Sequence, residues 1–579
     1  MSKILRVNMT DRTVQYEDVP EKYRFLGGRG LTSSIVCDEV DPTCHPLGPN
    51  NKLVFAPGII TGTNAPTSGR VSVGAKSPLT GGIKESNAGT GWPQSVAKLG
   101  IKAIIVEGYP KDGGWWGLHI TKDGATFFPA DEYAGRSLYE VYPLLFERFG
   151  KKVDICSIGV AGEMKMAMAG VCFNDAQGRP SRYSGRGGLG AVMGSKGLKF
   201  IIVNPEGGPG VHIANPDLFE QGRKKMLEAL RQHDITKPKG GLNTYGTAIL
   251  VNILNEAGGY PTRNFREGRF EGAAATSGEA IFETNKKRLG KELYNHGCHP
   301  GCTIQCSNTY YDEQGNEIVS CVEYESTWAL GANCGIDNLD AIGKLIWLCN
   351  DIGIDTIETG GALAVAMDAG LLPFGDWQGS IRLVDEEIRK GTPLGRILGN
   401  GAAFTGQAFG WHRVPGCKGQ NMPAYEPRAV KGIGVTYATS TMGADHTAGY
   451  TIAPEILSVG GKADPMDIKK ADLSRNFQVT TAFIDSSGHC LFCAFAFLDI
   501  PSGFEGLVEE CAGVLGANWM TDDVARIGRE IMEKELAFNR AAGFTKAHDR
   551  VPEFMKYEPL PPHNVVWDVP DEEMDAVWW

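Results

Sequence analysis

Three cysteines and two histidines lie within eleven residues, in the segment HGCHPGCTIQC at positions 296–306. Cys298, Cys302 and Cys306 are each separated by three residues, and thiolates are the usual ligands of iron–sulfur clusters. A four-iron cluster needs four thiolates, so the segment lacks one ligand. Zinc is an alternative, because three cysteines with His296 or His299 would complete a tetrahedral site. Unliganded thiols are the third interpretation.

A fourth cysteine from a distant part of the chain would favour the iron–sulfur cluster over zinc. The segment SSGHCLFC offers Cys490, with Cys493 as its rival. The chain has fourteen cysteines, and most of the others stand alone in apolar or loop contexts, where buried structural thiols are common. The first residues lack a basic segment followed by an apolar one, so we expect no signal peptide, a cytoplasmic protein, and thiols or metal ligands in preference to disulfides.

Glycine and arginine recur together in three segments: FLGGRGLT at 25–32, APTSGR and its continuation to GTGW at 65–92, and SGRGGLGAVMGSK at 184–196. Backbone N–H groups freed by glycine, with arginine nearby, can form an anion cradle suited to phosphate. The alternative is a set of β-turns in a glycine-rich barrel. Glycine makes up 76 of 579 residues, nearly twice the usual ~7 %, which indicates close backbone approach in many places.

Two isolated residues, a glutamate and a histidine, could transfer protons. Glu325 lies among apolar and aromatic residues in CVEYESTWALG, and His446 lies between small residues in TMGADHTAGY. Burial near a cofactor would raise the pKa of the glutamate and make it a usable base; a structural role is the alternative for both residues. Tyr324, Trp328 and Tyr450 nearby indicate room for an apolar substrate.

The elements that must position these residues change in type along the chain. The first two hundred residues contain short apolar runs that end at Gly, Pro or Asp-Gly, and KDG at 122–124 predicts a hairpin turn. Beyond the Pro- and Gly-rich segment 204–216, helical periodicity appears at 217–232, with Asp217 as the predicted N-cap, at 337–353 and at 521–536. No structure is predicted for the Pro-rich, acidic tail after 557.

Length and composition indicate a multidomain globular protein. We expect an α+β fold in which a β-rich N-terminal domain, residues 1–208, precedes two mainly helical domains, residues 209–420 and 421–579, with a second breaker-rich segment at 415–427. The net charge of −11 argues against nucleic acid as a partner. No run of 18 apolar residues predicts a membrane span.

Taken in order, these motifs resemble the tungsten-dependent aldehyde:ferredoxin oxidoreductase family. The resemblance runs from the first strand to about residue 555 and includes FLGGRGLT, SGRGGLGAVMGSKGLK, the cysteine run, NDIGIDT, PAYEPR, GADHT and DSSGHC. It implies that the N-terminal domain is a platform under a tungsten or molybdenum bis-molybdopterin. The six-residue frames 350–355 and 485–490 would each embrace one pterin. The cofactor and Mg²⁺-bridged phosphate contacts that it implies are Arg70, Asn87, Gly89, Arg186, Gly187, Asn350, Asp355, Thr356 and Asp485.

The resemblance also implies ligands and an activity. Cys298, Cys302, Cys306 and Cys490 would bind a [4Fe-4S] cluster, and Cys493 would be structural. The first cysteine interval is one residue longer than in the best-known members, and Asn350 stands where aspartate is expected. Glu325 would act as base and His446 would bond the substrate oxygen while an aldehyde is reversibly oxidised to its carboxylic acid.

Electrons would pass to ferredoxin or to partner subunits carrying iron–sulfur clusters and a flavin, and we expect an oligomer. The alternatives are a benzoyl-CoA reductase-type catalytic subunit and a pterin-free electron-transfer subunit.

Overall fold

The structure is a computed structural model and describes residues 2–579. Its amino-terminal third forms two six-stranded sheets, with strand orders β2-β1-β6-β3-β4-β5 and β11-β10-β9-β12-β7-β8. The strands are Lys3–Asn8 (β1), Thr13–Asp18 (β2), Leu53–Pro57 (β3), Arg70–Lys76 (β4), Ile83–Gly89 (β5), Ile101–Glu107 (β6), Trp116–Thr121 (β7), Gly124–Pro129 (β8), Asp154–Ser157 (β9), Val171–Asn174 (β10), Pro180–Ser184 (β11) and Leu198–Val203 (β12).

The remaining elements are mainly helices. Two short hairpins, Thr309–Tyr311 with Glu317–Ser320 and Gly416–Cys417 with Gln420–Asn421, interrupt them. The α-helices are Gly28–Glu39 (α1), Trp92–Lys98 (α2), Leu138–Phe149 (α3), Val160–Glu163 (α4), Leu189–Ser195 (α5), Pro216–Gln232 (α6), Gly241–Tyr245 (α7), Leu250–Ala257 (α8), Gly278–Leu289 (α9), Tyr324–Ala329 (α10), Leu339–Ile352 (α11), Thr356–Asp368 (α12), Trp377–Arg382 (α13), Pro393–Leu398 (α14), Gly401–Phe409 (α15), Lys431–Thr439 (α16), Ala471–Ser487 (α17), Cys493–Asp499 (α18), Pro501–Leu515 (α19), Asp523–Ala541 (α20) and Asp571–Trp578 (α21).

This order confirms the predicted α+β class, with a β-rich region followed by helices. The hairpin at 122–124 is confirmed, since β7 and β8 pair antiparallel with Thr121 opposite Gly124. The helix predicted from 217 starts one residue earlier, and its N-cap is Asn215, whose side chain accepts the Leu218 N–H. The prediction of Asp217 was wrong because Pro216 occupies the first helical position, where its missing N–H costs nothing.

The two sheets share one apolar core. Trp92 of α2 lies at its centre, with ring centroids 5.5 Å from Phe55 and 5.4 Å from Phe173, and its indole N–H donates to Ile201 O at 3.0 Å. Side chains from both sheets therefore pack around one helix. The tail, for which no structure was predicted, forms α21 with Met574 and Val577 buried. No helix within residues 2–579 is long and apolar enough to cross a bilayer.

A buried ion pair joins the amino-terminal and carboxy-terminal parts of the chain. Arg29 of α1 donates from Nε and Nη2 to the two carboxylate oxygens of Glu535 on α20, at 2.9 and 2.8 Å. The side chains are 2 % and 0 % exposed. Arg29 Nη1 also donates to Asp485 at 3.3 Å, so this arginine holds one of the predicted cofactor residues in place.

We expect Arg29→Met to lower the free energy of unfolding by about 3–5 kcal/mol, because it leaves Glu535 charged, buried and without its partner. Urea denaturation of the cofactor-free protein, followed by tryptophan fluorescence, measures the loss. The double variant Arg29→Met/Glu535→Leu should regain most of it, because an apolar pair removes the unpaired charge. A single variant as stable as the parent protein would contradict this account.

Candidate active site and cluster site

A cavity of about 340 Å³ lies where the β-rich region meets the helices. Most of the site residues predicted from the sequence line it, although they come from positions 70 to 490 of the chain. Gly89, Gly187, Cys298, Cys302 and Cys306 are not part of its wall. The predicted residues that do line the cavity are Arg70, Asn87, Arg186, Glu325, Asn350, Asp355, Thr356, His446, Asp485 and Cys490.

Antiparallel pairing of β4 and β5 positions the first group. Their register places Arg70 opposite Gly89 and Ser72 opposite Asn87. Arg70 Nε donates to Asn87 Oδ1 at 2.5 Å, and no described residue accepts a hydrogen bond from its two Nη atoms. A Cβ at Gly89 would lie 2.6 Å from Arg70 Nη1 and 2.8 Å from Cys298 Sγ. Gly89 therefore permits the cysteine segment to approach the strand, while the guanidinium of Arg70 keeps donors for an anion.

Arg186 has a different environment. Its guanidinium donates to Asp355 at 3.2 Å, to Glu358 at 3.4 Å, and to the carbonyls of Ala444 and Asn421 at 2.8 and 2.7 Å. Most of its N–H groups are therefore used within the protein. Gly187 has φ 83°, in the left-handed region that favours glycine, and a Cβ there would lie 2.5 Å from Lys84 Cγ, so a side chain would also displace Lys84.

The two six-residue frames have the same local structure. In 350–355 and in 485–490 a helix ends at the fourth position in a left-handed glycine, Gly353 at φ 84° and Gly488 at φ 100°. A glycine at this position is the common way to end a helix and turn the chain sharply. After the turn, Asp355 caps α12 by accepting the Ile357 N–H at 3.0 Å. Residues of both frames line the cavity. Thr356, which follows the first frame, also lines it, and its Oγ1 lies 2.7 Å from Ser326 Oγ.

The cysteine segment lies beside this cavity. The ligand atoms of Cys298, His299 and Cys302 all lie within 4.8 Å of one another and are buried. Burial and the negative charges of Glu323, Cys490 and Cys298 raise the pKa of the Cys306 thiol. Burial raises the pKa of the Cys490 thiol, and Cys298 adds to the increase. Cys298 contributes to both increases and is also a close neighbour of Cys302, which places Cys298, Cys302, Cys306 and Cys490 (the four-thiol group) near one another. All fourteen cysteines of the chain are free thiols.

The two histidines of the segment already have other partners. His299 Nδ1 lies 2.8 Å from Pro300 O, so it carries the proton and donates. His299 Nε2 then accepts the Gly69 N–H at 3.2 Å. His296 Nε2 faces an Arg179 N–H donor at 3.4 Å. Neither ring offers a free lone pair, and this favours a thiolate ligand set over a zinc site that includes a histidine.

Cys493 contacts a buried histidine–glutamate pair. Its Sγ lies 3.8 Å from His489 Nδ1, and His489 Nε2 lies 2.6 Å from Glu510 Oε2, with both of these side chains fully buried. This contact supports a structural role for Cys493. Four thiols, Cys298, Cys302, Cys306 and Cys490, fit the donor set of a [4Fe-4S] cluster.

Glu325 and His446 meet in the cavity. Glu325 Oε2 accepts the Ala424 N–H at 3.0 Å, and Oε1, which has no hydrogen-bond partner among the described residues, lies 3.5 Å from His446 Nε2. Both side chains keep contact with the cavity, at 15 % and 17 % exposure. Burial raises the pKa of Glu325 to about 8 and lowers the pKa of His446 to about 4. At neutral pH the pair holds a carboxyl proton next to an uncharged imidazole.

An aromatic wall faces this pair. The hydroxyl groups of Tyr425 and Tyr450 lie 2.8 Å apart, and their rings lie 5.8 and 6.2 Å from the His446 ring. Tyr324 also lines the cavity, whereas Trp328 is buried away from it and donates to Pro261 O. Tyr324 and Tyr450 thus lie where an apolar substrate would be bound, and Trp328 does not.

Several residues of the site escaped the sequence analysis. Lys84, fully buried, reaches Asp445 Oδ2 at 3.2 Å, and Asp445 directly precedes His446. Arg182 donates to Cys321 Sγ at 3.1 Å and to Ser307 Oγ and Gly89 O at 3.0 Å. Cys321 lines the cavity with φ 71°. No alternation of charged and apolar residues in β5 (IKESNAG) or β11 (PSRYS) marks Lys84 or Arg182 as a site residue.

Comparison with known proteins identifies one family over nearly the whole chain, the family that the sequence motifs resemble. The family model for the aldehyde ferredoxin oxidoreductase N-terminal domain matches residues 4–205, and the model for domains 2 and 3 matches residues 221–577. The chain is 38 % identical to the tungsten-containing aldehyde ferredoxin oxidoreductase of Pyrococcus horikoshii and 36 % identical to that of Pyrococcus furiosus. Both alignments cover 96 % of this chain and 92 % of the relative.

Two more distant proteins share the architecture. A WOR-like subunit of an aliphatic sulfonate oxidoreductase from Pyrococcus furiosus is 25 % identical over 99 % of this chain and 92 % of its own. The active-site complex BamBC of benzoyl coenzyme A reductase, solved with 1,5 dienoyl-CoA, superposes with a TM-score of 0.78 at 18 % identity, covering 95 % of this chain and 90 % of that chain. At this identity the superposition shows a common fold.

Proposed function

The chain belongs to the aldehyde ferredoxin oxidoreductase family and is an oxidoreductase, and we propose that it oxidises aldehydes reversibly to carboxylic acids at a tungsten–pterin centre. The observation that carries this proposal is the pairing of Glu325 with His446 in the cavity bounded by both six-residue frames. That cavity has free donors for an anion at Arg70 and a proton-accepting group beside an aromatic wall.

The residues of the cavity fit a bis-molybdopterin. Arg70 and Asn87 would contact its phosphates and the bridging Mg²⁺, with Gly89 keeping the strand close. Asn350, Asp355, Thr356 and Asp485 would bond the two pterins, and Arg186 with Gly187 would hold the wall beside them. When bound, the tungsten centre supplies Lewis acidity and accepts two electrons.

Glu325 and His446 would handle protons. An ionised Glu325 Oε1 accepts the proton released when water adds to the carbonyl carbon, since no protein group satisfies this atom. The uncharged His446 donates a hydrogen bond from its ring N–H to the substrate oxygen. Lys84 is a positioning residue, because its contact with Asp445 fixes the turn that carries His446.

The overall reaction consumes an aldehyde and water and yields a carboxylic acid, two protons and two electrons. Cys298, Cys302, Cys306 and Cys490 would hold the [4Fe-4S] cluster through which the electrons leave. The acceptor would be ferredoxin or partner subunits with iron–sulfur clusters and a flavin.

Metal analysis together with an aldehyde assay tests the proposal. Protein purified without oxygen should contain about four irons per chain and tungsten or molybdenum, and should reduce a viologen dye with apolar aldehydes such as benzaldehyde. Metals without aldehyde turnover would reject the substrate class. Iron without tungsten or molybdenum would favour a pterin-free electron-transfer subunit. A benzoyl-CoA reductase-type subunit would instead react with a thioester. In that alternative Cys321, which lines the cavity and is outside the four-thiol group, could supply a thiolate ligand to the metal.

A further inference from the structure

The cysteine segment reaches the protein surface at one turn. Pro300 and Gly301, between Cys298 and Cys302, are exposed, while the two cysteines are buried. Gln94 Nε2 donates to Pro300 O at 3.0 Å, and the Thr67 N–H donates to Gly301 O at 2.9 Å. The turn is therefore fixed against the β-rich region, and it exposes the backbone that connects two members of the four-thiol group.

A groove of about 620 Å³ opens beside this turn, and Pro300 lies in its wall. Three lysines line the groove: Lys98 at the end of α2, and Lys151 and Lys152 in the loop after α3. All three are exposed. The only ion pair recorded for them within residues 2–579 joins Lys152 to Glu206 at 3.7 Å.

The carboxylates of the groove do not cancel this charge. Asp154 accepts hydrogen bonds from Ser95 and Asn174, which together with the nearby Lys98 offset part of the increase in its pKa that burial causes. Asp175 is paired with Arg179 at 2.6 Å. The accessible charge of the groove is thus positive on a chain whose net charge is −11. Such a local excess attracts an acidic partner that the rest of the surface repels.

We propose that this groove is the docking surface for an acidic iron–sulfur electron-transfer protein, whose cluster is placed over the Pro300–Gly301 turn. The inference rests on the proposed function and adds where the electron acceptor binds. Each aldehyde oxidised releases two protons to solvent and two electrons, which reduce two oxidised clusters by one electron each. Contacts of this kind are small and steered by charge, so their affinity falls as salt screens the lysines.

Charge reversal at the groove tests the proposal. The variant Lys98→Glu/Lys151→Glu/Lys152→Glu changes the net charge by the same amount as the control Lys390→Glu/Lys462→Glu/Lys469→Glu, whose lysines are exposed, line neither cavity and form no recorded ion pair. The probe is an acidic two-cluster [4Fe-4S] ferredoxin, and surface plasmon resonance measures its Kd for the cofactor-loaded protein at low and at physiological ionic strength.

We expect the groove variant to raise Kd at least tenfold at low salt and to lose most of the salt dependence, while the control stays within about twofold of the parent protein. The variant Lys98→Ala/Lys151→Ala/Lys152→Ala should lie between them. Dye-linked turnover should be the same in all of these proteins, because a small dye does not need the groove. Equal Kd values for groove and control variants, or no binding by the parent protein, would overturn the proposal. If binding separates the variants but no aldehyde is oxidised, the docking surface stands and the proposed substrate is wrong.

Discussion

Replacing Glu325 by glutamine should lower kcat/KM for an aldehyde by about 10²–10⁴-fold, the usual contribution of a positioned general base. The amide has nearly the shape of the carboxyl group, so the hydrogen bond from Ala424 N–H and the contact with His446 can remain. What disappears is the only group of the pair whose ionised form, which grows as pH rises toward its pKa of about 8, can act as the base. The assay is initial-rate kinetics with a viologen acceptor, normalised to tungsten content.

The pH profile gives this prediction a second readout. The pKa of Glu325 is raised to about 8 by burial, so the carboxylate form grows as pH rises. In the parent protein kcat/KM should therefore increase up to about pH 8 and level off above it. The pKa of His446 is lowered to about 4, so the imidazole stays uncharged over this range and adds no second step. Glu325→Gln should remove the rise.

A neighbouring carboxylate offers the matched control. Glu323 lies two residues earlier, lines the same cavity, and bonds Arg182 and Thr247. The decrease in kcat/KM caused by Glu323→Gln should be at least tenfold smaller than the decrease caused by Glu325→Gln, and the pH profile should not change. The reason is that both carboxylate oxygens of Glu323 already accept hydrogen bonds from Arg182 and Thr247. If both variants lost the same activity, or if Glu325→Gln kept the profile of the parent protein, Glu325 would not be the base.

The second large effect concerns the cluster. Replacing Cys490 by serine should reduce iron well below about four per chain and abolish electron transfer to ferredoxin, because three thiolates cannot complete a four-iron cluster. Cys490 is also the only member of the four-thiol group that lines the cavity, so the substitution changes the cavity wall as well. Iron analysis and electron paramagnetic resonance of the reduced protein measure the change.

Two variants separate the rival ligands. Cys493→Ser should keep the iron, since this thiol already contacts His489. His299→Ala should keep it as well, because both ring nitrogens are occupied by backbone groups. Retention of iron and of the signal in Cys490→Ser, together with their loss in either control, would show that the ligand assignment is wrong.

The sequence could predict the parts of this site that depend on local pattern. The helix at 217–232, the hairpin at 122–124 and the cysteine spacing all follow from neighbours within a few residues. The repeated six-residue frame also has a local cause, a helix end with a left-handed glycine at 353 and at 488. The α+β class followed from the order of these elements.

Long-range partners could not be predicted from such patterns. Arg29 and Glu535 lie 506 residues apart, and Lys84 and Asp445 lie 361 apart. Nothing in the flanking residues shows that these charges are buried, because a lone charged residue usually lies on the surface. The choice between His299 and Cys490 as ligand likewise needed the position of the Pro300 carbonyl. The roles given to the cofactor residues remain predictions.

The same distribution of residues along the chain has a consequence for how the protein matures. Asp485, Cys490 and Glu535 are synthesised after the other residues of these sites, yet they complete the cavity, the four-thiol group and the buried ion pair with Arg29. Neither candidate centre has its full set of residues until the segment that carries Asp485 and Cys490 has been synthesised. Metal and pterin would therefore be held by a complete set of residues only after that segment has been made.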